Sequence, residues 1–68
     1  MDQDVFNMSI RKFLKHVGVH SQREIEGAVE RAIAAAKLKG DETLPVRMRL
    51  TLEGTDLDVT FDDRIRLG

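Results

Sequence analysis

The sequence has no cysteine, no tryptophan and no tyrosine, and only one proline and three phenylalanines among its 68 residues. Without cysteine there is no disulfide staple, no thiolate zinc or iron–sulfur site and no cysteine nucleophile. An excess of one charge sign is missing too. Eleven basic and 12 acidic residues leave a net charge of −1, not the basic surplus of a protein that neutralises many phosphates. The longest apolar run, Ala32 to Ala36, is five residues, and the start Met-Asp-Gln-Asp is acidic. Neither a membrane span nor a secretory signal is expected, and the protein reads as cytoplasmic.

What is present suits a globular domain: 41% hydrophobic and 34% charged residues, with no internal repeat or low-complexity tract. Residues 1–68 are read as one small domain. Its apolar burial is worth on the order of 100 kcal/mol, close to the cost of ordering the chain at about 1.5 kcal/mol per residue. A lone monomer is marginal, and with no disulfide or thiolate metal site a partner subunit is the remaining staple.

Phe6, Ile10, Phe13, Leu14 and Val17 fall in an arc of about 100°, the stripe of an amphipathic helix over about 3–17, with Asp2 or Asp4 as cap. Gly18 is a stop signal, free to take the left-handed conformation, with Val19 folding back on the last turn. Ser21-Gln22-Arg23-Glu24 spells a capping box. A second helix is expected over about 22–39, carrying Ile25, Ala28, Val29, Ala32, Ile33 and Ala36 at three-and-four spacing and closed by Gly40. The alanines would admit another helix at close range.

From Val46 the period drops to two, with Val46, Met48, Leu50 and Leu52 alternating with polar residues. This predicts a strand over about 45–53, a two-residue turn at Gly54-Thr55 and a second strand over about 56–62. Leu52 then faces Leu57, Leu50 faces Val59 and Met48 faces Phe61. A turn at Asp62-Asp63 and a short third strand over about 64–67 complete a meander, with an acidic row between two rows of arginines. The fold class is therefore α+β: two helices packed on a small antiparallel sheet. The expected core is Phe6, Ile10, Phe13, Leu14, Val17, Ile25, Val29, Ile33, Leu50, Leu52, Leu57, Val59 and Phe61.

The segments Phe6-Asn-Met-Ser-Ile-Arg-Lys-Phe-Leu-Lys15, Ser21-Gln-Arg-Glu-Ile-Glu26 and Leu38-Lys-Gly-Asp-Glu-Thr-Leu44 resemble a family of short bacterial proteins of unknown function. The resemblance covers residues 5 to 44 and reaches the strands only in pattern. It implies a bacterial cytoplasmic protein of naturally short length, and it brings no activity, substrate or catalytic residue.

Each chemically suggestive group has a plainer explanation. Two helices around Gly18-Val19 suggest a helix-turn-helix, with Arg11, Lys12, Lys15 and Arg23 as candidate contacts to an anion or nucleic acid. Glu24, Glu26 and Glu30 would face the same phosphates, so nucleic acid is the secondary expectation. His16 and His20 have the spacing of a metal-binding pair, but Gly18 lies between them and no third ligand follows in sequence. Asp56, Asp58, Asp62 and Asp63 are strung along a strand rather than curled around one centre. The only serines are Ser9 and Ser21, and Ser21 is committed to its cap. Gly40 to Thr43 carries carboxylates where a phosphate cradle needs bare amides.

No catalytic residue, cofactor or metal site is expected. The reading is a non-catalytic interaction or structural module that forms a homodimer, by docking or by exchanging elements across the connector from Lys39 to Pro45. Val5 and Met8, off the helical stripe, are the candidate interface.

Overall fold

The computed structural model describes residues 1–68, which divide into two units, Met1–Lys37 and Leu38–Gly68. The first unit is one helix, α1, running from Gln3 to Ala34. Asp2 caps it, its carboxylate accepting from the amides of Asp4 at 3.0 Å and Val5 at 3.1 Å. The two expected helices are a single one. Gly18 does not stop it, and Ser21 and Glu24 lie inside it, so the capping box does not form.

The physical reason is phase. Val17, Ser21 and Ile25 are spaced by four, so the stripe of the first segment runs into that of the second. It recurs every eleven residues, Phe6 to Val17 to Ala28 and Ile10 to Ser21 to Ala32, close to three turns of 3.6 residues. A break at Gly18 would leave amides and carbonyls on both sides needing caps, whereas continuing pairs them within the helix. That gain outweighs the roughly 1 kcal/mol that a glycine costs in a helix.

The helix ends before Gly40. The Lys37 amide donates to the Ala32 carbonyl at 2.8 Å and the Ala36 amide to that of Ile33 at 3.0 Å, the two bonds of a Schellman cap. Ala36 holds the left-handed position with φ 59°.

The second unit is an antiparallel hairpin of β1, Thr43–Thr51, and β2, Asp58–Arg66. Leu50 pairs with Val59 and Met48 with Phe61, as the alternation predicts. The turn is built differently from expectation. Gly54, φ 83°, is the third residue of a turn closed by the Thr55 amide donating to the Leu52 carbonyl at 3.3 Å.

There is no third strand and no turn at Asp62-Asp63. β2 runs on, pairing Asp63 with Val46, Arg64 with Pro45, Ile65 with Leu44 and Arg66 with Thr43. Straight pairing wins because β1 begins early enough to offer a partner to every residue of β2. The fold-back would have needed a bulge.

Pro45 is compatible with this register. Leu52 donates to Leu57 and Leu67 donates to Glu42, so bonded pairs fall on even positions of β1. Pro45, odd, sits in a non-bonded pair where no amide is missed.

None of the expected core residues is buried. Val17, Ile25, Val29, Leu50 and Leu57 are half-buried, while Phe6, Ile10, Phe13, Leu14, Ile33, Leu52, Val59 and Phe61 are exposed. A lone helix has one apolar stripe and a two-stranded hairpin one apolar face, with nothing inside the same unit to cover either.

Candidate interaction surfaces

The hairpin separates its side chains by parity. Leu44, Val46, Met48, Leu50 and Leu52 share one face with Leu57, Val59, Phe61 and Ile65. Phe61 is 59% exposed at the centre of this sheet. Asp63 interrupts the face opposite Val46, its carboxylate accepting from the Arg64 amide at 2.8 Å. Sequence reasoning put Asp63 in a turn. Only the strand pairing reveals it as a charge on an apolar surface.

The opposite face is polar, and two of its four arginines are paired. Arg49 holds Asp58 through two bonds, Nε to Oδ1 at 2.9 Å and Nη2 to Oδ2 at 2.7 Å, and Arg47 Nε meets Asp62 Oδ1 at 2.8 Å. The fork draws the Asp58 carboxyl below its ordinary range and raises the Arg49 guanidinium. These pairs are solvent-exposed and set register more than stability. Arg64 and Arg66 extend the same face of β2 instead of forming a third row.

The segment from Lys39 to Glu42 opens the second unit. The amides of Lys39 at 2.8 Å, Gly40 at 2.8 Å and Asp41 at 3.2 Å converge on the Glu42 carboxylate. A cradle exists, and Glu42 fills it. Those donors, led by Lys39, hold the Glu42 carboxyl below its ordinary range.

On α1 the stripe is open to solvent at Phe6, Ile10, Phe13 and Leu14. The other side carries Val5, Met8, Lys12, Lys15, Arg23, Glu26 and Glu30, within about 80° at 100° per residue. Val5 is 61% and Met8 71% exposed, both among these charges and away from the stripe. Lys12, Lys15 and Arg23 thus share their side with two glutamates, and Arg11 lies nearer the stripe, so no uniform basic strip forms. The continuous helix also removes the turn on which the helix-turn-helix reading depends.

His16 and His20 do lie on unbroken helix, with ring centroids 4.3 Å apart. No group of three or more His, Cys, Asp or Glu side chains that could hold a metal ion forms around them or elsewhere. Shallow hollows lie beside Pro45 and Arg64 and beside Asn7 and Met8, and none has a buried residue in its lining. No helix is long and apolar enough to cross a membrane.

The chain has α+β content, one long helix and a two-stranded antiparallel sheet. The chain belongs to a family of unknown function (DUF6494), matched over residues 1–68. No curated protein and no solved structure matches it.

Proposed function

We propose that this chain is a small, non-catalytic, cytoplasmic interaction module whose working form is a symmetric homodimer. The observation that carries the reading is that no residue is buried in a chain that is 41% hydrophobic. Contiguous apolar surface of this kind marks an interaction site. A two-stranded hairpin is at best marginal in water without further strands or another apolar surface. Its apolar face and its two unpaired edges are surfaces for a second copy. The polar face, which carries four arginines to two aspartates, is a poor candidate for pairing with its own copy.

Sedimentation equilibrium at tens of micromolar tests this, followed by interference optics because the chain has no Trp or Tyr. The expected mass is twice 7.7 kDa. A single 7.7 kDa species across that range overturns the proposal.

A further inference from the structure

We infer that His16 and His20 form a chelating site on α1 for a borderline divalent transition ion, Zn²⁺ or its neighbours Ni²⁺ and Cu²⁺. Two imidazoles of one chain hold the ion and water fills its other positions. The inference does not depend on self-association.

The sequence argument against this pair was a helix break at Gly18, and α1 runs unbroken from Gln3 to Ala34. Residues four apart on a continuous helix differ by about 40° and lie one turn above the other, with Cβ atoms about 5–6 Å apart. It is the spacing through which two histidines of one helix share a zinc ion. The rings are already neighbours, their centroids 4.3 Å apart and their planes tilted by 49°. Two nitrogens bonded at about 2.0–2.1 Å to one tetrahedral ion stand about 3.4 Å apart. Rings this close reach that span by turning about their side-chain torsions, with no change in the backbone.

Both imidazoles are also free to bind. His16 and His20 are exposed, and both ion pairs of the chain lie on the hairpin. No side-chain hydrogen bond engages either ring. The chain has no cysteine to compete for a soft ion. Imidazole suits zinc, copper and nickel, whereas magnesium and calcium favour oxygen ligands. Glu24, the carboxylate one turn beyond His20, is eight residues from His16, about 12 Å along the axis, too far to share an ion with it. That spacing agrees with the lack of any three-ligand group. Lys12 and Arg23 lie one turn to either side, exposed and screened by salt, so they weaken the attraction without blocking the site. The result is an open, exchangeable site, unlike the closed four-ligand sites of structural zinc.

Calorimetric titration of the full chain with Zn²⁺, with the imidazole resonances followed by NMR along the same titration, tests this. Helicity of each variant is checked by circular dichroism. The expected result is one ion per chain, His16 and His20 resonances moving together, and no response to Mg²⁺. His16→Gln and His20→Gln should each weaken binding by about tenfold or more, because the same helix supplies the second imidazole at high effective concentration. Gly18→His combined with His20→Gln keeps two histidines but sets them on different sides of the helix. A Cβ at Gly18 meets nothing within 4 Å, so the helix accepts this variant, which should bind as weakly as the single ones. Native affinity in that double variant, or in either single variant, overturns the inference. So does the absence of binding at millimolar Zn²⁺, or an equal response to Mg²⁺. One ion per two chains means imidazoles from two copies around one metal, and overturns a site complete within one chain.

Discussion

Ala36 is the only residue other than glycine with a positive φ. The cap it forms needs the left-handed conformation, which costs a side chain with a Cβ roughly 1–2 kcal/mol. Ala36→Gly is therefore expected to stabilise the chain by about 1 kcal/mol, read as a rise in thermal midpoint. Glu42 acts through protonation. Its carboxyl is held below the ordinary value of 4.5 in the folded chain, so its contribution is complete above 4.5 and lost as pH falls through the depressed folded value. A thermal-midpoint series against pH should decline more steeply below 4.5 than that of Glu42→Gln, whose side chain has no proton to take up. Neither role is visible in sequence: Ala36 fits the apolar rhythm of a helix, and Glu42 looks like any charge in a connector.

The single helix rests on Gly18 being an interior residue. Gly18 is not among the glycines with positive φ, and a Cβ built on it meets nothing within 4 Å. Gly18→Ala should increase the helical circular-dichroism signal and stabilise α1 by about 1 kcal/mol. Were Gly18 the left-handed terminus of a shorter helix, the same substitution would be destabilising, so the sign decides. The register of the hairpin was legible because only one pairing sets Met48, Leu50 and Leu52 opposite Phe61, Val59 and Leu57. The extent of β2 was not, because Asp62-Asp63 has the composition of a turn while its strand state depends on a partner some fifteen residues earlier.

For the molecule as a whole, the proposed dimer would tie folding to association through the exposed apolar faces. If the folded form is the dimer, stability follows protein concentration by mass action. Raising the concentration a hundredfold should lift the thermal midpoint, and a concentration-independent midpoint would count against the coupling. The histidine pair, whose two rings are brought together by helix continuity, has no bearing on this.

The sequence by itself determined the α+β content, the helical stripe, the strand alternation and the hairpin register, because each follows from the spacing of apolar residues a few positions apart. The choice between one helix and two, the course of β2 beyond Asp62 and the position of Asp63 on an apolar face were decided only in the tertiary structure. Each depends on a comparison that local spacing does not contain. Gly18 and Ser21 carry the local marks of a stop and a start, yet the continuous stripe and the backbone bonds on both sides outweigh them. In the same way, Thr43 to Val46 supplies β2 with a straight partner and cancels a turn that its own residues encode.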